Sequence, residues 1–316
     1  MSQENNVRFE NIWTALNQAT TNTKREEKLK KWASPPSATE TEKCERAVRM
    51  VTAAIKADPI LSQADISVYA KGSFYNRTNI PSDSDVDVAV TLNSLFYNTY
   101  PEGMSHSDFN FSPYNYTYSQ FKGQVSTAIE NHFGKTNTTI GDKAILVHEN
   151  SSRLDADVVP HFVHRRYYQD NSNYEGVALQ TATGNLIYNW PAQDYASGVQ
   201  KNKSTNMKYK DVVRIIKNIK MEMELKTYAS ASKAKSYLIA SLVWNIPDEI
   251  FLQDTYSEIV EDCLLFLDFQ TSDANNIKLW TEVNELKYLF RPTQPWRLDE
   301  TNQFAVDALN FFRGLK

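Results

Sequence analysis

The chain has 316 residues, of which 41% are hydrophobic and 23% charged, with a formal net charge of −4; that is the balance of a globular protein with room for one large domain or two lobes. No apolar run approaches the length of a membrane helix, and the polar opening MSQENNVRFE lacks the order of a signal peptide, so a cytoplasmic protein without a membrane partner is expected. Lysines and arginines are scattered among acids with no basic footprint for a nucleic-acid duplex, although a local pocket can still hold small anions.

Residues 7–31 predict a helix with Phe9, Ile12, Trp13 and Leu16 on one stripe, and its end, KREEKLKKW, reads as a solvated face rather than a nucleic-acid arm. Pro35 and Pro36 break it, and Ser37 with Glu40 forms a capping box that opens a second helix to about residue 57. Short strands are expected at 66–70 and 85–92, then a long polar loop over 93–118 and a helix near 119–133. Strands follow near 144–149, 153–159 and 161–168, and 169–206 reads as a second polar stretch in which Trp190 is an anchor. After residue 207 the chain is helical, ending in a helix near 299–314. Cys44 and Cys263 are expected to be buried free thiols, and His148, His161 and His164 to be surface or satisfied side chains rather than a metal site. The order of elements gives an α+β chain, with helices and a mixed-sheet lobe over 1–206 and a helical lobe over 207–316.

The segment SDSDVDVAV carries the chemistry. Alternation along a strand puts Asp85 and Asp87 on one face and Val86, Val88 and Val90 on the other. Two carboxylates side by side repel unless a cation neutralises them, and magnesium prefers such hard oxygen ligands. Upstream, Gly72 and Ser73 follow an apolar strand, where a glycine lets the backbone approach a phosphate and the serine adds a donor. A third acid comes from RLDADVVPH, where spacing alone does not choose between Asp155 and Asp157; Pro160 there reads as a strand end. Three carboxylates suffice for two metals roughly 3.5–4 Å apart.

GSFYNRTNIPSDSDVDVAV resembles the signature of the polymerase-β-like nucleotidyltransferases. Together with KWASPPSATETEKCERA, DADVVPHF, VVRIIKNIK and KSYLIASLVWNIPDE, in that order, the chain is similar over about 25–250 to clade E of the bacterial cGAS/DncV-like nucleotidyltransferases. The resemblance implies a polymerase-β-like core with a C-terminal helical lobe and an active site in the cleft between them. It implies that Asp85, Asp87 and Asp157 hold two Mg2+ ions, with Mn2+ able to substitute, and that Gly72 and Ser73 hold the donor triphosphate. Lys217 and Ser236 would contact phosphates and Tyr237 would stack on a base. The bland alternatives are a solvated lysine, a helix-capping serine and a core tyrosine.

The reaction implied joins two nucleoside triphosphates (ATP, GTP, UTP or CTP), with release of pyrophosphate, into a cyclic dinucleotide with at least one purine. That product is an antiphage second messenger read by a separate effector protein. A monomer with no nucleic-acid activator is expected. A terminal nucleotidyltransferase acting on RNA or a small acceptor fits the motif alone, and a catalytically idle nucleotide-binding regulator is the rival of another class.

Overall fold

The computed structural model describes residues 22–81, 85–109, 111, 115–151 and 154–315. It divides the chain into a sheet unit, Pro36–Ala196, and a helical unit, Met1–Pro35 with Ser197–Lys316. Where the sequence suggests one boundary at 206/207, the helical unit resumes at Ser197 and also takes in helix α1 (22–33). Its Leu29, Trp32 and Ala33 are buried in the core of the helical unit, and the Arg214 guanidinium donates to the Ala33 carbonyl at 2.7 Å. Residues 7–21 of the expected first helix lie outside the described residues.

In the sheet unit, α2 (Ala38–Ala57) opens on the expected box, with the Ser37 amide donating to the Glu40 carboxylate at 2.8 Å. After it come β1 (Ile66–Ala70), the single turn α3 (Gly72–Tyr75), β2 (Val86–Thr99), α4 (Tyr118–Phe133), β3 (Thr138–Ile140), β4 (Ile145–Val147) and β5 (Ala156–Tyr167). The strand order is β1-β2-β5-β4-β3, with β1 antiparallel and β5 parallel to β2. Val86, Val88 and Val90 are fully buried in one cluster with Val51 of α2 and Phe121 and Val125 of α4. Each such side chain contributes about 1.5–3 kcal/mol on burial, and with a side-chain period of two their burial turns Asp87 to the opposite face.

The sheet is more extensive than the sequence suggests. β2 runs on to Thr99 through a register slip between Leu92 and Phe96, held beyond it by contacts such as the Tyr97 ring 5.6 Å from Phe162, so the loop starts later than residue 93. β5 is one strand rather than two. Pro160 sits mid-strand because it falls between the β4 pairing (to Val158) and the β6 pairing (from Phe162), where its carbonyl accepts from the Tyr118 hydroxyl at 2.9 Å; no ladder bond is lost there. The stretch 169–206 holds β6 (Asn173–Gln180), β7 (Leu186–Asn189) and α5 (Pro191–Ser204). Gly184, at φ +87°, closes the β6–β7 turn, and Pro191 stands first in α5, where its missing amide costs nothing.

The helical unit continues with α6 (Lys208–Leu225), α7 (Ser236–Trp244), α8 (Tyr256–Thr271), the short α9 (Ala274–Ile277) and α10 (Leu298–Arg313). Glu26 of α1 caps α8, its carboxylate accepting from the Tyr256 amide at 3.0 Å and the Ser257 amide at 2.9 Å. Both cysteines are buried free thiols, and burial pushes Cys44 up to about 11. Among the described residues, no helix is long and apolar enough to cross a membrane.

Candidate active site

Asp87 and Asp157 are register partners on the adjacent parallel strands β2 and β5. Asp85 immediately precedes β2, where the Val86 amide donates to the Asp155 carbonyl at 3.0 Å and ties the starts of the two strands together. The three acids share one electrostatic environment: burial first, then the charges of Asp87 and Asp85, hold the Asp157 carboxyl above its usual range, while Lys71 opposes. Like charges stacked this way favour a bound cation.

Gly72 completes the acidic corner. It follows β1 at φ +66°, and a β-carbon there would overlap the Asp87 Oδ2 and lie 3.0 Å from Cγ. Only glycine satisfies both constraints. The turn is pinned by the Lys71 amide on the Asp87 carbonyl (2.9 Å) and the Thr78 amide on the Ser73 carbonyl (2.9 Å), and Ser73 follows Gly72 in α3. Asp155 serves elsewhere: its carboxylate accepts from the Glu149 amide at 2.5 Å, at the turn from β4.

Two residues here escape a motif reading. Lys71, just beyond β1, has its pKa lowered by burial while Asp87, Asp157 and Asp194 raise it; extending the β1–β2 pairing by one residue would have placed it opposite Asp87. Asp194, buried in the first turn of α5, has no sequence signal because the polar composition of α5 does not mark it as a helix.

Lys217, Ser236 and Tyr237 belong to the helical unit. Lys217 is 2% exposed on α6, which removes the solvated-face alternative. Ser236 is the first residue of α7 after the N-cap Lys235, so it is not the cap. The half-buried Tyr237 donates its hydroxyl to Glu282 and accepts from Asn284, both at 3.1 Å. No periodic pattern in the sequence marks those two partners.

Two of the three histidines are buried and the third is partly exposed. His161 and His164 are wholly buried on β5, and His164 pairs with Thr99 at 3.2 Å; His148 pairs with Thr139 at 3.0 Å. Trp190, 3% exposed, meets His164 edge-on with ring centroids 5.3 Å apart, as an anchor does. Among the described residues no three acidic, histidine or cysteine side chains form a ready metal cage. Magnesium does not ask for one: it keeps waters and takes one or two carboxylates plus substrate phosphates, which suits an open face bearing Asp85, Asp87 and Asp157.

Residues 196–313 match the cGAS/DncV-like nucleotidyltransferase C-terminal helical domain. The chain is 42% identical to a cyclic dipyrimidine nucleotide synthase CdnE of Legionella pneumophila, over 91% of this chain and 98% of that one. It is 34% identical to a second protein of that name from Cecembia lonarensis, over 89% and 96%. The solved structure of the Rhodothermus marinus CdnE c-UMP-AMP synthase with Apcpp and Upnpp superimposes with a TM-score of 0.78 at 27% identity, covering 92% of this chain and 96% of that chain.

Proposed function

The chain belongs to the CdnE cyclic nucleotide synthases among the cGAS/DncV-like nucleotidyltransferases, and from that premise we propose that it joins two nucleoside triphosphates into a cyclic dinucleotide, releasing two pyrophosphates. The observation that carries this is the register of Asp87 beside Asp157, with Asp85 one residue before β2 and Gly72 closing the corner. Asp85, Asp87 and Asp157 would hold two magnesium ions, which supply charge neutralisation of the triphosphate and a lowered pKa for the attacking ribose hydroxyl. As a metal ligand Asp157 would also be placed to accept that hydroxyl's proton. Gly72 and Ser73 admit and bind the donor triphosphate, Lys217 and Ser236 bind phosphate oxygens, and Tyr237 stacks on a base.

The product is a cyclic dipyrimidine. The relatives at 42% and 34% identity are named for that product, and on that support the reading departs from the purine expected from sequence; the Rhodothermus marinus structure is of a c-UMP-AMP synthase, which joins one base of each kind. The product acts as an antiphage signal for a separate effector, made in the cytoplasm by a monomer. Purified protein supplied with NTPs and Mg2+ alone should release pyrophosphate at a rate unchanged by nuclease treatment. Strict dependence on added nucleic acid would overturn the activator-free reading, and transfer onto RNA ends would favour the terminal transferase.

A further inference from the structure

The segment 280–294 of the helical unit is built around one side chain of α7. Glu282 is 3% exposed, yet its carboxylate is fully engaged. Oε2 takes the Tyr237 hydroxyl at 3.1 Å and the Asn284 amide at 2.8 Å. Oε1 takes Gln294 at 2.8 Å and the Lys287 ammonium at 3.3 Å. Asn284, also 3% exposed, gives its amide to the Tyr237 hydroxyl as well and accepts from the Leu286 amide at 2.9 Å. The far end of α7 is fastened to the same segment, Asn245 donating to the Thr281 carbonyl at 2.8 Å and accepting from the Thr281 amide at 3.1 Å.

A buried carboxylate is costly unless hydrogen-bonded and paired, and here the Tyr237 hydroxyl is the one donor of the four that comes from α7. A tyrosine hydroxyl held by two mutually bonded partners fixes where the far end of the ring lies, so the side chain cannot swing about Cα–Cβ. We infer that Glu282 and Asn284 are positioning residues that hold the far end of the Tyr237 ring in the place from which it receives a nucleobase. The inference rests on the proposed stacking role of Tyr237. A fixed platform lowers the ordering cost of substrate binding, so loss of the clamp weakens base binding and leaves the phosphoryl-transfer step intact.

The test uses the full chain with NTPs and Mg2+, measuring kcat, KM for each NTP and Tm for Tyr237→Phe, Tyr237→Ala, Glu282→Ala, Glu282→Gln and the double variant Tyr237→Phe/Glu282→Ala. Tyr237→Phe deletes one hydroxyl and should raise KM for at least one NTP about three- to tenfold, with kcat within about twofold and Tm nearly unchanged. Glu282→Ala should raise the same KM comparably. The double variant should show no more than the larger single effect, because the two act through one contact. Glu282→Gln, which can keep an oxygen toward Tyr237 and Asn284 while losing the acceptor for Gln294 and Lys287, should lower Tm yet retain most of the wild-type KM. If Tyr237→Ala raises KM while Tyr237→Phe does not, the clamp is idle and the stacking role stands. If Tyr237→Ala leaves every KM unchanged, the stacking role itself falls and takes the clamp with it. Additive KM effects in the double variant also contradict the inference, as does a Glu282→Ala variant that loses Tm but keeps its KM.

Discussion

Gly72 stands so close to the carboxylate of Asp87 that a β-carbon cannot be added without displacing it. The backbone at Gly72, at φ +66°, also disfavours any larger residue. Gly72→Ala should therefore move Asp87 and cut kcat by about a hundredfold or more, the scale on which a displacement of about an ångström acts, while the buried valine face of β2 keeps the fold. Steady-state kinetics with a Tm control checks this; a variant within tenfold of wild type would mean that the acid does not need its present position.

The acids themselves divide by position. Asp85→Ala, Asp87→Ala and Asp157→Ala should each remove at least about 99% of activity, since each would delete a proposed metal ligand. Asp155→Ala should be much milder, because that carboxylate is engaged with the Glu149 amide. Equal losses for Asp155→Ala and Asp157→Ala would assign the third acid wrongly.

Crowding of the acids makes a thermal prediction. The raised proton affinity of Asp157 means that the native carboxyl holds its proton more tightly than the unfolded one. Its ionisation therefore works against folding as pH rises above about 4. An asparagine carries no charge at any of these pH values. In EDTA at pH 7, Asp157→Asn should have a higher Tm than wild type, and the gap should close as pH falls toward 4. Excess Mg2+ should raise the wild-type Tm more than that of the variant. A lower Tm for the variant in EDTA would contradict the electrostatic account.

The buried imidazoles predict acid sensitivity. Burial, reinforced by Arg166, brings His164 down to about 4, and burial with the Lys71 charge lowers His161 as well. The native state thus binds these protons less readily than the unfolded chain, whose histidines titrate near about 6.5. Stability is full above that pH and falls as pH drops from about 6.5 toward 4, by at most about 1.4 kcal/mol per pH unit for each histidine. His164→Phe, which keeps a ring beside Tyr188, should show a shallower loss in denaturant unfolding between pH 7 and 5. An unchanged slope would remove His164 from the account.

How far the sequence discloses this site depends on whether a feature is periodic. Asp85, Asp87 and the buried valines follow from alternation along one strand, and the Ser37–Glu40 box marked its helix because capping is local. Asp155 and Asp157 share the same parity, so spacing could not separate them; in the structure they differ by the start of β5 and by the Glu149 amide, a contact set by a turn. Pro160 suggested a strand end because the carbonyl partner that lets it sit mid-sheet, the Tyr118 hydroxyl, comes from a helix 42 residues upstream. Strand β6 is masked by its exposed polar start, residues 173–175, although Val177, Ala178 and Leu179 are buried, and β7 by its four-residue length beyond β6. Glu282 and Asn284 have no local pattern at all, since their meaning lies in where Tyr237 points.

The most direct measurement is mass spectrometry of what survives phosphatase treatment after the protein is incubated with all four NTPs and Mg2+. A cyclic product has no terminal phosphate and resists the phosphatase, and closure is favoured because the second bond forms between groups already held together. The account predicts a resistant ion at the mass of a cyclic dinucleotide, with two pyrimidine bases, absent when Asp87→Ala replaces the wild type. Only extended, phosphatase-sensitive oligonucleotides, or no nucleotide product at all, would contradict it.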